Sequence, residues 1–333
     1  MHRLLLASIF GLWAATASAQ PIKIGELGIV ADAPFYIAIE KGYFAAEKLD
    51  VTLERFTSAA QATAPLSTNQ IQVIGGGGGA ALYNAAARDW PVRIAMARTR
   101  DWPGYSSDTL ILRNDLKASV TSAKDLKGKV IAINSPASVL QFMLARFMET
   151  DGLSIADVQT INMAWPNMGP ALETKAIDGG MVVEPFAALY AQKNIAFPFR
   201  RAADFMKKPP LEVSVILYSK AWMDKQPDQA KAFTVAYLKG VRDYFDAMKG
   251  GPKRAEVIAI CAKYTSLKDK ALYDKIQWSY MDPNAEISFD GLRDQQDWYA
   301  KQGFVSQKAS IENMVDRRFL DYALEKLGRV DDQ

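Results

Sequence analysis

The sequence predicts an α/β protein of two lobes, each built on a mostly parallel sheet that is flanked by helices. The first half alternates short apolar runs, such as Ile22 to Ile29 and Val51 to Phe56, with runs of helical length. This alternation is typical of parallel strands joined by crossover helices. The length of 333 residues fits about two domains of ordinary size.

The elements of the first set are bounded by residues that begin helices. Asp32 can cap the first helix, Pro34 fits its first turn, and Ser58 can cap the second helix. A third strand over Ile71 to Ile74 leads through five consecutive glycines, Gly75 to Gly79, into an alanine-rich helix. Two further strands are predicted at Val92 to Ala97 and Thr109 to Leu112.

A second alternating set follows a polar stretch. Its strands are predicted at Val130 to Ile133, Val158 to Met163 and Gly180 to Val183, and its helices at Ser138 to Met148, Met168 to Ala176 and Glu184 to Gln192. A last strand, Glu212 to Tyr218, precedes an almost wholly helical end, where the apolar stripe from Phe233 to Met248 recurs at helical spacing.

These elements divide the chain into two lobes, and the chain passes from one lobe to the other at two crossings. We expect the first lobe to contain residues 20–112 and 212–333, and the second to contain residues 113–211. The crossings are predicted near Thr109 to Asn114 and Pro210 to Tyr218, where they would act as a hinge and leave a ligand cleft between the lobes.

Residues 1–19 have the pattern of a cleaved secretory signal. His2 and Arg3 precede an apolar run from Leu4 to Ala15, and Ala17-Ser18-Ala19 has the small-x-small form of a cleavage site. The run is shorter than the roughly 18 to 25 apolar residues of a membrane anchor. We therefore expect export to the periplasm.

Composition argues against several function classes. The 40 Lys and Arg residues are balanced by 37 Asp and Glu residues and are interspersed with them, so a nucleic-acid partner has no electrostatic support. The only histidine is His2, in the predicted leader, and the only cysteine is Cys261. A Ser-His-Asp triad and a thiolate zinc site are therefore ruled out in the exported chain, and we expect no metal, no cofactor and no enzymatic activity.

The glycine run is the most conspicuous candidate for ligand contact. Glycines after a strand let a ligand approach the backbone, although a tight strand-to-helix turn would also explain them. Gly75-x-Gly77-x-x-Ala80, with Asp101 further along, also fits a relaxed dinucleotide fingerprint. That interpretation is the weaker one, because the run follows the third strand of its set.

Other candidates follow the strands at the ends where α/β sheets bind ligands. Aromatic side chains at these ends can stack on a ligand or pack a helix onto its sheet. Ser58 and Glu184 can each contact a ligand or cap a helix. Four arginines are available as counter-charges to a ligand but are better explained as solvated surface residues. They are Arg98, Arg100, Arg200 and Arg201. The predicted ligand contacts are Phe35, Tyr36, Ser58, Gln61, Gly77, Gly78, Trp102, Ser135, Ser138, Asn167 and Glu184.

Three segments carry a resemblance to a known family. They are Gly28 to Val51, which contains PFYIA and EKGYF, Asp125 to Ala132, and Asp178 to Phe186. In this order they resemble the substrate-binding proteins of ABC importers for nitrate, sulfonates and taurine, and the related pyrimidine-precursor binding group. The five-glycine run departs from the more varied small residues of that family, so the shape of the pocket does not carry over.

The resemblance implies a two-lobed periplasmic binding protein fold that closes on a small solute. It also implies a monomer that delivers this solute to an ABC permease in the inner membrane. Our leading ligand class is a small organic anion of the sulfonate or carboxylate type, and the alternative is a neutral aromatic heterocycle such as a pyrimidine precursor. Two other functions stay open, a secreted enzyme that uses carboxylates or a nicotinamide cofactor, and an extracellular sensor.

Overall fold

The computed structural model describes residues 20–205 and 211–331, so the predicted signal peptide lies outside the described residues. Within these described ranges, ten strands form two five-stranded sheets. The first sheet contains β1 (Ile22–Glu26), β2 (Val51–Arg55), β3 (Val73–Gly77), β4 (Val92–Asp101) and β10 (Leu211–Ser219). The second contains β5 (Asp108–Arg113), β6 (Val130–Ile133), β7 (Gln159–Asn162), β8 (Gly179–Val183) and β9 (Ala196–Arg201).

The two sheets have the same topology. Their strand orders are β2-β1-β3-β10-β4 and β7-β6-β8-β5-β9. β1 runs parallel to β2 and β3, and β6 runs parallel to β7 and β8. β10 and β5 run antiparallel to both of their neighbours. In each sheet the antiparallel strand is the one that arrives from the other lobe, which confirms the predicted two-lobed α/β fold.

Thirteen α-helices accompany the sheets in the part of the chain that is described. They are α1 (Ala33–Glu40), α2 (Tyr43–Ala46), α3 (Thr63–Ser67), α4 (Ala80–Ala86), α5 (Val139–Glu149), α6 (Trp165–Glu173), α7 (Phe186–Gln192), α8 (Lys220–Lys225), α9 (Pro227–Met248), α10 (Arg254–Tyr264), α11 (Phe289–Lys301), α12 (Ile311–Met314) and α13 (Arg318–Leu327). None of them has the length and apolarity needed to cross a bilayer.

The structure places the first crossing earlier than the sequence analysis did. Strand β5, Asp108–Arg113, pairs with β8 and β9 in the second sheet, so we place the crossing at residues 102–107 and begin the second lobe at Asp108. The apolar run Thr109 to Leu112 gave no sign of which sheet it joins. The second crossing was predicted near Pro210 to Tyr218; residues 206–210 lie outside the described residues, and β10 begins at Leu211.

Strand β9 was missed by the sequence analysis. It contains Pro198 and ends in Arg200 and Arg201, a composition that does not resemble a central strand. The strand lies at the edge of the second sheet, where a proline removes no bond from an outer neighbour.

Helix α9 is the centre of the first lobe's helical layer. Its predicted stripe is buried except for the half-buried Phe245, and the centroid of the Tyr237 ring lies 4.8 Å from that of the Phe35 ring on α1. A β-carbon at Gly240 would overlap the carbonyl oxygen of Pro34, so the glycine permits this close approach. Cys261 is enclosed nearby on α10, and burial raises the pKa of its thiol to about 12.

Candidate ligand site

A cavity of about 970 Å³, its open mouth included, lies between the ends of the two sheets. Its first-lobe wall comes mainly from segments that follow β1, β2 and β3, and its second-lobe wall from segments that follow β6 and from the end of β8. These are the carboxyl ends of the parallel strands, where sheets of this kind bind ligands. The two lobes therefore share one candidate ligand site.

Four of the predicted contact residues line this cavity, namely Ser58, Gly77, Ser135 and Ser138. The Ser58 side chain does not cap the following turn, and the described residues provide no hydrogen-bond partner for the hydroxyl of Ser58 or Ser135. Ser138 is already engaged, because its Oγ accepts from the backbone amide of Gln141 at 3.4 Å and caps α5. Ser58 and Ser135 thus offer free hydroxyls from opposite lobes.

The prediction for Phe35 and Tyr36 needs correction, because neither residue lines the cavity. Both are fully buried in the first lobe. The Tyr36 ring stacks on Tyr264 with 4.5 Å between ring centroids, and its hydroxyl donates to Glu26 Oε2 at 2.5 Å. Helix α1 turns these aromatics toward α9 and α10, so they stabilise the lobe and do not stack on a ligand.

Three other predicted contacts lie on the surface and outside the cavity wall. Gln61 and Asn167 are exposed, and Gln61 Oε1 accepts from the amide of Thr57 at 3.2 Å. The Trp102 side chain is 41% exposed, and its ring packs 5.7 Å from that of Tyr280. Ala60, next to Gln61, and Trp165, two residues before Asn167, line the cavity instead.

Glu184 acts as a helix cap, the alternative that the sequence analysis left open. Its Oε2 accepts from the backbone amide of Ala188 at 3.1 Å, and its side chain is not part of the cavity wall. Burial raises the pKa of this carboxyl to about 7. Its carbonyl oxygen accepts from Val30 of the first lobe at 3.2 Å, so the residue joins the lobes through its backbone.

The glycine run is part of a strand rather than a loop. Gly75, Gly76 and Gly77 belong to β3 and pair with β10. A β-carbon at Gly75 would lie 2.6 Å from Arg98 Nε, and one at Gly78 would overlap the side chain of Gln295 on α11. Gly78 therefore packs within the first lobe and does not line the cavity, contrary to the prediction. These glycines provide space for neighbouring side chains.

Arg98 is the main residue that sequence reasoning misplaced. It is 3% exposed and lines the cavity, so the prediction of a solvated surface residue is wrong. Its Nη2 forms an ion pair with the buried Asp32, and its Nε donates to the carbonyl oxygen of Ala31 at 3.2 Å. The missing side chain at Gly75 makes room for it, a relationship that only the pairing of strands could reveal.

Asp108, at the start of β5, was not considered in the sequence analysis and also lines the cavity. Burial raises the pKa of its carboxyl to about 7, although the Ser107 hydroxyl and Arg98 act in the opposite direction. Asp101, at the other end of the first crossing, is fully enclosed, and burial followed by the nearby charge of Asp108 raises its pKa. The described ranges contain no cluster of acidic, His or Cys side chains suited to a metal ion.

A family model described as NMT1/THI5 like matches residues 31–249 of the sequence. The chain belongs to the NMT1/THI5-like family. That match spans the second lobe and part of the first, including the cavity segment that follows β6 and the end of β8.

Solved structures place this NMT1/THI5-like protein in the periplasmic binding protein fold. The alkanesulfonate-binding protein SsuA from Xanthomonas axonopodis pv. citri, bound to MOPS, is 17% identical with a TM-score of 0.72, and the match covers 89% of this chain and 98% of SsuA. The periplasmic nitrate-binding protein NrtA from Synechocystis PCC 6803 is 16% identical with a TM-score of 0.74, and the match covers 92% of this chain and 89% of NrtA. At this identity the likeness shows the fold.

A curated relative of this NMT1/THI5-like protein is the bicarbonate transport ATP-binding protein CmpC from Synechococcus elongatus. It is 25% identical over 238 residues, which cover 66% of this chain and 34% of CmpC. The chain therefore spans about a third of the length of the curated relatives it matches.

Proposed function

We propose that this protein captures a small solute in the periplasm for an ABC import system and releases it unchanged to a membrane permease. The observation that carries the proposal is the cavity, whose wall is formed by strand ends of both sheets. The family match, the fold and the transport role in the name of CmpC support the same function.

Closure of the two lobes explains how such a site gains affinity. Ser58 and Ser135 approach the cavity from different lobes, so only the closed form offers both hydroxyls at once. A solute stabilises whichever form makes more contacts with it. A micromolar dissociation constant requires only about 8 kcal/mol in total, which is within reach of a few polar contacts and a buried apolar surface.

A small organic anion, of the sulfonate or carboxylate type, is the first ligand class we propose. The free hydroxyls of Ser58 and Ser135 support it, as do the backbone amides of Val139 and Leu140 in the first turn of α5. SsuA and NrtA, which share the fold, are named for alkanesulfonate and nitrate.

A neutral aromatic heterocycle is the second candidate. The stacking residues expected from the sequence, Phe35 and Tyr36, are not available to it. Two other aromatic residues, Trp90 and Trp165, line the cavity among aliphatic side chains and can take their place.

We propose that no chemical step accompanies binding. The only histidine of the sequence is His2, and the thiol of Cys261 is enclosed with a pKa of about 12, so it is a poor nucleophile at neutral pH. A secreted carboxylate- or nicotinamide-dependent enzyme is the alternative, and it predicts consumption of a substrate by the pure protein.

A thermal-shift screen against small anions and heterocycles tests the proposal, because a solute that binds only the folded protein raises its melting temperature. For each hit, X-ray scattering should show a more compact protein, and mass spectrometry should recover the solute unaltered. Turnover of a hit would favour the enzyme, and a stabilised protein whose shape does not change would argue against closure. Neighbouring genes for a permease and an ATPase, rather than a sensor kinase, would separate the importer from the sensor.

A further inference from the structure

We propose that an anionic solute binds together with a proton, which the carboxyl of Asp108 takes up from the solvent beside the cavity. The proton returns to the solvent when the solute leaves. This inference rests on the proposed function and deepens it, because it names a second species that the same site binds.

The first crossing brings two acidic side chains together. Asp101 ends β4, and Asp108 begins β5. Between them the amide of Trp102 donates to the carbonyl oxygen of Tyr105 at 3.0 Å, and the amide of Tyr105 donates to that of Trp102 at 2.8 Å, so the chain reverses in a tight turn. The two carboxyls are close enough to interact, since burial and then the charge of Asp108 raise the pKa of Asp101.

Neither carboxyl has a cation bound to it in residues 20–205 and 211–331. Both side-chain oxygens of Asp101 are enclosed without a hydrogen-bond partner, and the nearby Ser106 hydroxyl donates instead to the carbonyl oxygen of Asp108 at 3.3 Å. Asp108 is 2% exposed, and its carboxyl accepts from the Ser107 hydroxyl. A buried carboxylate without a paired cation is costly, and a proton removes that cost.

The cations near the two carboxyls act mainly on other acidic groups in the described residues. Arg98 is held in a buried ion pair with Asp32, although it still favours the ionised form of Asp108. The other charged or titratable groups packed around them are Arg100 and Glu212, which pair with each other, Arg201, which faces Glu184, and Asp204 and Tyr280. The acidic neighbours therefore favour protonation.

Of the two acids, Asp108 is the one beside the solute. It lines the cavity together with Ser107, whereas Asp101 is not part of the wall. A neutral carboxyl has one hydrogen to donate, and an ionised carboxylate has none. An anion in the cavity is therefore stabilised by the neutral form of Asp108 and repelled by the ionised form.

Proton uptake makes the affinity for an anion depend on pH in a definite direction. Burial raises the pKa of the Asp108 carboxyl to about 7 in the unliganded protein, and a bound anion raises that pKa further. Below about pH 7 the free and bound forms both hold the proton, so the affinity is constant. Above it the free form has lost the proton, and the affinity falls by up to about tenfold per pH unit.

Calorimetric titration with ethanesulfonate tests this inference, because this probe stays ionised throughout the range used. We expect its affinity for the wild type to fall about tenfold or more between about pH 6.5 and about pH 8.5. Near pH 7.5 the measured heat should change with the ionisation enthalpy of the buffer, which reports the proton taken up. Asp108→Asn should bind with a constant affinity, because an amide keeps a donor and does not titrate.

Two further variants separate Asp108 from other acids. Asp101→Asn should retain the fall in affinity, because Asp101 is not part of the cavity wall and its raised pKa keeps it neutral. Asp290→Asn removes a carboxylate whose side chain is 97% exposed and should behave like the wild type. Melting curves confirm that each variant is folded, and the buffer comparison on the wild type needs no variant.

Three results would overturn the inference. Ethanesulfonate binds the wild type with no dependence on pH or buffer, Asp108→Asn shows the same dependence as the wild type, or ethanesulfonate binds at no pH. Scattering separates this failure from failure of the proposed function. Compaction of the wild type by a neutral solute, or by ethanesulfonate without proton uptake, would refute the coupling and leave solute capture standing.

Discussion

The backbone amide of Ala80 donates a hydrogen bond to the carbonyl oxygen of Ala137 at 2.9 Å, joining the first lobe to the second. Ala80 begins α4 directly after the glycine run. A β-carbon at Gly79 would lie 3.1 Å from the same carbonyl oxygen, which is tighter than most real contacts of this kind. The backbone of Gly79 is extended, so the glycine is needed here for space and not for an unusual conformation.

Gly79→Val should keep the lobes from closing fully, because its branched side chain would meet the carbonyl of Ala137. We expect the affinity for any solute found by the thermal-shift screen to fall about tenfold or more, equivalent to about 1.4 kcal/mol. Titration calorimetry and scattering measure affinity and closure. Gly79→Ala should give a smaller loss, and a valine variant that closes like wild type would contradict the expectation.

Tyr36→Phe should weaken the fold and leave the ligand site intact. The change removes a buried hydrogen bond to the Glu26 carboxylate, and we expect the free energy of unfolding to fall by about 1 to 3 kcal/mol. Urea denaturation measures this loss. Tyr264→Phe is the matched control, because its hydroxyl bonds to Glu40 at an exposed position and its removal should matter less. Loss of solute binding in Tyr36→Phe would restore the original ligand-contact prediction.

Ser135→Ala should have the opposite effects, weakening solute binding and leaving the stability of the fold unchanged. Its hydroxyl has no partner in the described residues, so its loss should lower solute affinity by about 0.5 to 1.5 kcal/mol and leave the unliganded melting temperature unchanged. Ser138→Ala removes the cap of α5 and should instead destabilise the protein by about 1 kcal/mol. Calorimetry and melting curves on both variants distinguish the two roles, and identical profiles would contradict them.

Asp32→Asn should be strongly destabilising. It leaves the buried charge of Arg98 without its ion-pair partner, a change that typically costs about 3 to 5 kcal/mol. Chemical denaturation measures the loss. Adding Arg98→Met should recover part of it, because the unpaired charge is then removed. A double variant less stable than Asp32→Asn would show that the pair is not the source of the effect.

Asp108 should make the unliganded protein less stable as pH rises from about 4 to about 7. Burial raises the folded-state pKa of this carboxyl from the ordinary value of 3.8 to about 7. Within that window the folded form retains a proton that the unfolded form has lost, so each rise in pH favours unfolding. Above pH 7 this contribution no longer changes.

Asp108→Asn tests this dependence, since an amide does not titrate in that range. Melting curves between pH 5 and 8 should be flatter for the variant, with a gain at pH 8 on the order of 1 to 3 kcal/mol. Part of the pH dependence of stability should remain in the variant. Burial also raises the pKa values of Glu184 and Glu212 to about 7, so these carboxyls titrate in the same range. If the stability of wild type and of the variant changed with pH in the same way, the assignment of this pH dependence to Asp108 would be contradicted.

Secondary-structure elements that depend only on their local residues could be predicted from the sequence. Strand β6 was predicted with the bounds it has, Val130–Ile133, because a short apolar run is flanked there by polar residues. The two-lobed fold followed from the alternation of such runs. Ser58 and Ser135 were placed near the cavity because they follow parallel strands, a rule that holds for any sheet of this kind.

Features that depend on a distant partner could not be predicted. The direction in which α1 turns Phe35 is set by α9, about two hundred residues further along the chain. The burial of Arg98 depends on the empty space at Gly75 on a strand two places away in the sheet. Neither relationship leaves a local pattern in a single sequence.

The enclosed thiol of Cys261 has a practical consequence for watching the lobes move. It is the only cysteine in the sequence, and burial suppresses its reactivity. Thiol-directed fluorophores or spin labels would therefore attach selectively to cysteines engineered on the outer faces of the two lobes. The native chain is in this respect already a suitable background for single-molecule distance measurements.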